Sequence, residues 1–189
     1  MGEGDVPALG KGDALLLVDV QVDFCPGGAL PIEAGDTIVP VLNRWIERAR
    51  QAGVPIIASR DLHPEGHVSF VEKGGPWPVH CVRGSPGAEY HPGLHLPGET
   101  THIAKGTQVE RDQYSAFDGT GLAEALHARG VRRLWVGGLA LDVCVRATVL
   151  DALHEGFEVR LIRDATRPVQ QAGGERAMAE MREAGAVLC

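Results

Sequence analysis

Three side chains suited to nucleophilic acyl chemistry stand far apart along the chain: Asp19, Lys105 and Cys144. A thiol attacks a carbonyl carbon as its thiolate, and a carboxylate within reach can take the thiol proton and later return it to a leaving amine. An ammonium group beside that carboxylate keeps it charged and favours the thiolate. Each residue also has an ordinary reading: a turn aspartate, a solvated lysine, a small buried thiol. A second group lies in Asp61-Leu-His63-Pro-Glu-Gly-His67 and Trp77-Pro-Val-His80. Residues two apart in an extended segment project to one side, so Asp61 and His63 can share a metal ion, with His80 completing two imidazoles and one carboxylate. His67 is a fourth candidate, as a direct ligand or through water. The set leaves open coordination positions and suits zinc, iron or manganese. A polar loop with incidental histidines is the alternative.

The elements that must position these residues alternate between β-type runs and helical patterns, the signature of a parallel α/β sheet. Ala14–Val18 reads as strand one, apolar throughout because both faces are covered. Asp36 is placed to cap a helix with apolar positions Ile38, Leu42, Trp45, Ile46 and Ala49, closed by Gly53. Pro55–Ser59 is strand two. From Arg60 to about Pro97 the pattern breaks into a stretch dense in Gly, Pro and His, a loop long enough to carry function. Thr101–Ala104, Arg133–Val136, Phe157–Ile162 and Ala186–Leu188 supply the other strands, with helices over Leu122–Arg129, Asp142–Glu155 and Glu175–Glu183. The expected fold is a three-layer, doubly wound α/β domain with a mostly parallel six-stranded sheet, one domain over residues 1–189.

In such a sheet the ligand site lies beyond the carboxyl ends of the strands. Asp19, Asp61 and Lys105 end strands one to three, and strand four runs through Gly137-Gly138 towards Asp142 and Cys144. With Asp142 as N-cap, Cys144 falls at the second helical position, where unpaired N–H groups and the helix dipole favour a thiolate and can receive an oxyanion. Asp164 ends strand five and is expected to cap a turn. His91, His95, His102, His127 and His154 are assigned no chemistry.

The bulk composition sets limits. The 189 residues carry a formal charge of -7, from 18 basic and 25 acidic residues, which gives no basic footprint for nucleic acid or an anionic membrane. No apolar run near the start is long enough to span a bilayer or to act as an export signal, so a cytoplasmic location is expected. Cys25, Cys81, Cys144 and Cys189 form no CxxC pair and are expected to be free thiols.

Read together, the segments Val18-Asp-Val-Gln-Val-Asp-Phe-Cys-Pro-Gly-Gly28, Ser59-Arg-Asp-Leu-His-Pro64, Trp77-Pro-Val-His-Cys81, Lys105-Gly106 with Tyr114-Ser-Ala-Phe117, and Gly137-Gly-Leu-Ala-Leu-Asp-Val-Cys-Val145 resemble the nicotinamidases (pyrazinamidases) among the isochorismatase-like cysteine hydrolases. The resemblance implies a catalytic triad of Asp19, Lys105 and Cys144 and one divalent metal on Asp61, His63 and His80, with His67 a frequent addition. It implies a cis peptide at Leu139-Ala140 that aims the Ala140 N–H, with that of Cys144, at the oxyanion. Phe24 and Trp77 would sandwich a pyridine ring whose nitrogen approaches the metal. The implied activity is hydrolysis of nicotinamide, and of pyrazinamide, through a Cys144 thioester, feeding NAD salvage. The implied partner is a small carboxamide, and a homo-oligomer is compatible. Leu141 and Val143 depart from the family pattern, which often has Thr and His or Tyr there. Two other readings stay open: a superfamily member acting on another amide, carbamoyl or vinyl-ether substrate, and a redox-sensing metal module with Cys25 or Cys81 as resolving thiol.

Overall fold

Strand β1 (Asp13–Val18) is buried at every position, and its side chains split by parity between two cores. Ala14, Leu16 and Val18 face one, while Leu15 and Leu17 face the other, as the two-residue period of a strand requires. In this computed structural model, which describes residues 8–189, six strands run in the order β3-β2-β1-β4-β5-β6, every adjacent pair parallel. The others are β2 (Ile56–Asp61), β3 (Thr101–Lys105), β4 (Arg133–Leu139), β5 (Glu158–Arg167) and β6 (Val187–Leu188). The expected α/β fold is thus observed, with a sheet that is parallel throughout.

Helix α1 (Val39–Ala52) covers one face of the sheet with Leu42, Trp45, Ile46 and Ala49. Helices α2 (Leu122–Ala128), α3 (Arg146–His154) and α4 (Gln171–Glu183) cover the other. Asp36 does not cap α1. A 3₁₀ turn, Gly35–Ile38, precedes the helix, so the position flanking its first turn is Ile38, and Asp36 lies two residues too early. Gly53 closes α1 in the left-handed conformation (φ 64°), as its residue type suggested. Strand β5 runs five residues past Ile162, so Asp164 lies within it and ends nothing. Its polar continuation is held by a matching extension of β4, in which Gly138 pairs with Thr166 and Leu139 with Arg167. Only glycine fits at position 138, because its φ is 131° and a Cβ would stand 2.0 Å from the Val18 carbonyl oxygen.

Strand order reverses between β1 and β4, which opens a crevice at their carboxyl ends. The stretch between β2 and β3 holds two 3₁₀ turns and isolated bridges such as His63 with Val82 and Phe70 with Trp77. No helix among the described residues is long and apolar enough to cross a membrane.

Candidate active site and metal centre

Four strand ends deliver the polar groups to this crevice. Asp19 follows β1 with φ 48°, Asp61 and Lys105 are the last residues of β2 and β3, and Cys144 follows β4. Lys105 is fully buried, as is Asp19. Its Nζ lies 2.8 Å from Asp19 Oδ2 and donates hydrogen bonds to Asp61 Oδ1 (2.7 Å), Cys144 Sγ (3.4 Å) and the Gln113 carbonyl (3.4 Å). One ammonium thus compensates two carboxylates that could not be buried alone. Burial works against the Lys105 charge, but Asp19 and Asp61 outweigh it and hold the ammonium protonated well above its ordinary pKa.

Asp19 Oδ1 accepts the Ser59 hydroxyl at 2.7 Å, whereas Oδ2 accepts no hydrogen bond of good angle. Oxygens of Asp19 and Asp61 and the Cys144 sulfur lie within 4.8 Å of one another. Burial raises the Asp19 pKa, Lys105 pulls it back and Asp61 raises it further, which makes Asp19 a stronger base than an exposed aspartate. Burial likewise lifts the Cys144 thiol well above its ordinary value; Lys105 opposes this, and the two carboxylates add to it. Burial thus opposes the thiolate that a helix N-terminus would favour and leaves a thiol beside a carboxylate placed to take its proton, as the sequence reading expected of Asp19.

The local backbone departs from the sequence reading. Cys144 does not sit at the second position of an α-helix. A π-helical turn, Leu141–Val145, precedes α3, with the extended residue Ala140 flanking it and the Ala140 carbonyl accepting the N–H groups of Val143 and Val145. Asp142 is not the cap of this helix. Its carboxylate accepts the N–H groups of Val169 (2.8 Å) and Gln170 (3.2 Å) and so ties the nucleophile's turn to the start of α4. The Leu139–Ala140 peptide is cis.

Beside this group, Asp61, His63 and His80 offer three buried ligand atoms within 4.8 Å of one another. Both imidazoles are oriented for ligation. His63 Nδ1 donates to the Gly106 carbonyl (3.0 Å) and His80 Nδ1 to the Pro78 carbonyl (2.7 Å); a carbonyl only accepts, so each proton sits on Nδ1 and each Nε2 lone pair is free. His63 Nε2 faces Asp61 Oδ2 at 3.8 Å. Burial, with His80 nearby, lowers the His63 pKa to about 3 and keeps the ring neutral, the form that binds metal. Glycine is required at 106, because a Cβ there would stand 2.5 Å from His63 Cε1. This donor set fits a divalent metal.

His67 is brought near but not into the set. It stacks on His63 at 4.1 Å between centroids, yet Nε2 meets the Arg111 carbonyl (3.0 Å) and Nδ1 meets the Ser69 hydroxyl (2.7 Å). Both nitrogens are engaged, so direct ligation would break one of these bonds. Gln21 is a participant the sequence reading passed over. Its amide accepts the Asp61 N–H (2.8 Å) and donates to the Asp61 carbonyl (2.9 Å), fixing the backbone beneath a residue that serves both groups. Ser59 and Gln21 stand within segments that carry the family resemblance, which was their one sequence signal.

Ala140, Cys144, Asp61, His63 and His80 line a pocket over these groups along with Phe24 and Trp77. Phe24 lies 5.6 Å from the His80 ring, and Trp77 Nε1 donates to the Tyr114 hydroxyl at 3.1 Å. Val143 lines the pocket beside the nucleophile and Leu141 is buried in the core. Cys25 and Cys81 are buried free thiols whose pKa values burial pushes up, Cys25 to about 11, which suits neither as a resolving thiolate.

The isochorismatase domain family matches residues 13–189. The chain is 41% identical to the nicotinamidase of Escherichia coli over 93% of each chain, and 36% identical to the nicotinamidase/pyrazinamidase of Mycobacterium tuberculosis over 93% of this chain and 97% of that one. Among solved structures, the pyrazinamidase of Pyrococcus horikoshii in complex with zinc superposes with a TM-score of 0.92 at 47% identity, covering 94% of this chain and 98% of that one. PnC1 from L. infantum in complex with nicotinate gives 0.89 at 41%, covering 97% and 95%. The chain belongs to the isochorismatase-domain family of hydrolases, and its relatives there are nicotinamidases and pyrazinamidases.

Proposed function

We propose that the chain is a nicotinamidase that hydrolyses nicotinamide, and pyrazinamide, to the acid and ammonia. The observation that carries this is the placement of Lys105 Nζ within 3.4 Å of Asp19, Asp61 and Cys144 at the floor of a pocket bounded by Phe24 and Trp77. The pyridine ring lies between those two aromatics, with its carboxamide carbon towards Cys144. Asp19 takes the thiol proton as the sulfur attacks, and Lys105 steadies the charge on sulfur. The N–H groups of Ala140 and Cys144 receive the oxyanion. Asp19 passes the proton to the departing nitrogen, and ammonia leaves. Asp19 then takes a proton from water as the water oxygen adds to the thioester; nicotinate departs and the proton returns to sulfur. The acid so released feeds pyridine nucleotide salvage. Asp61, His63 and His80 would hold a zinc ion, which when bound supplies Lewis acidity and an anchor for the ring nitrogen. His67 supports His63 by stacking.

The test is ammonia release from nicotinamide by the zinc-loaded protein and by Cys144→Ala. Turnover should fall at least about 10⁴-fold in Cys144→Ala, with zinc content unchanged. A zinc-loaded, folded wild type that releases no ammonia from either amide overturns the proposal.

A further inference from the structure

Asp23 is a buried carboxylate that the reaction above does not use, and it bonds to two loops that each supply part of the pocket lining. Its own loop bears Phe24; the other bears Trp77 and His80. Asp23 Oδ1 accepts the Ala29 N–H at 3.1 Å, and Oδ2 accepts the N–H of Cys81, the residue after His80, at 2.7 Å. Its carbonyl accepts the Leu30 N–H at 3.0 Å, which closes its own loop upon itself. The carboxylate fills its slot tightly, since a Cβ at Gly87 would stand 2.2 Å from both oxygens.

We propose that Asp23 is a positioning residue that fixes the Phe24 wall and the His80 ligand at one spacing. This rests on the carboxamide and metal reading given above. Asp23 and Phe24 share a single 3₁₀ turn, Val22–Phe24, and His80 and Cys81 lie outside any helix or strand, so neither segment is held by the ladder of the sheet. A carboxylate holds both because it offers two acceptors of enhanced strength to two N–H donors. Asparagine cannot replace it, since one of its two ends is itself a donor. Ring and metal ligand meet the substrate from the two loops, so a displacement between them weakens the hold on the ring and on the metal. Cys144, Asp19 and Lys105 stand on strand ends and are held without Asp23, so the damage falls on binding.

Two variants of the full-length protein test this, Asp23→Asn and Gly87→Ala; the second displaces the carboxylate without changing its charge. In both, KM for nicotinamide and the zinc dissociation constant should rise about tenfold or more, with kcat changed less than about threefold. Amide hydrogen exchange at Ala29 and Cys81 should quicken in both. Folded variants with wild-type KM, zinc affinity and exchange overturn the proposal. So does a lowered Tm with those three readouts unmoved, which would mark Asp23 as packing alone. Should Asp23→Asn fail to fold, Gly87→Ala decides. If the wild type does not hydrolyse nicotinamide, the functional reading falls, while zinc affinity and hydrogen exchange still judge Asp23.

Discussion

Asp19, Lys105 and Cys144 hang from the ends of strands or just beyond them, whereas His63 and His80 hang from the irregular stretch between β2 and β3. The first three owe their placement to the sheet, whose ladder sets the spacing between neighbouring ends. The two histidine rings are aimed by hydrogen bonds from Nδ1 to the carbonyls of Gly106 and Pro78, and a backbone bridge beside Val82 holds the His63 main chain. Lys105 and Asp61 link the two groups, because one ammonium contacts both the base and the metal-side carboxylate. Both groups are braced further: Ser59 holds Asp19, Asp142 ties the turn of Cys144 to the start of α4, Gln21 fixes the backbone of Asp61 and, as proposed, Asp23 steadies the segment of His80.

The largest effect should follow from cutting the link. Lys105→Ala leaves two buried carboxylates without a counter-charge and should cost about 3–5 kcal/mol of stability, together with all measurable turnover; urea unfolding and ammonia assays check it. His80→Ala should separate the groups: zinc is lost and turnover falls at least about 100-fold, while iodoacetamide alkylates Cys144 at nearly the wild-type rate. Loss of alkylation as well would show that the loop also holds the nucleophile. Next comes pH. In the metal-free protein His63 has a folded pKa of about 3 against an ordinary 6.5, so the folded state disfavours its protonation. That contribution is complete above pH 6.5 and is lost as pH falls towards 3, at a slope approaching about 1.4 kcal/mol per pH unit. His63→Gln should flatten the slope in urea titrations at several pH values. The smallest change expected is in Ser59→Ala, which removes the donor to Asp19 Oδ1 and should lower kcat/KM by about tenfold, some 1–2 kcal/mol, with zinc affinity intact.

The same contrast explains what could be read from the chain. Ala14–Val18 is apolar without a break, and Asp19 ends it abruptly, so strand and candidate base were legible together. The tight turn after Gly137-Gly138 likewise marked Cys144. The metal ligands were legible as residue types, through the spacing of Asp61, His63 and His80. What fixes them was not: Gln21 meets Asp61 across 40 residues and Asp23 meets Cys81 across 58, through side-chain bonds to backbone that leave no local pattern. Asp142 misled for the same reason. A polar residue ahead of a helix reads as its cap, and the π-helical turn sends the carboxylate to another helix 27 residues on. The end of β5 was hidden because Arg163-Asp-Ala-Thr-Arg167 is polar and becomes a strand only by pairing with β4.

Holding Cys144 as a neutral thiol has an outcome beyond acylation. Peroxide attacks thiolates far faster than thiols, so oxidation to the sulfenic acid begins from the ionised form. While the sulfur carries its proton it stays in the less oxidisable state. The same burial that demands a strong base from Asp19 therefore shelters the enzyme between turnovers.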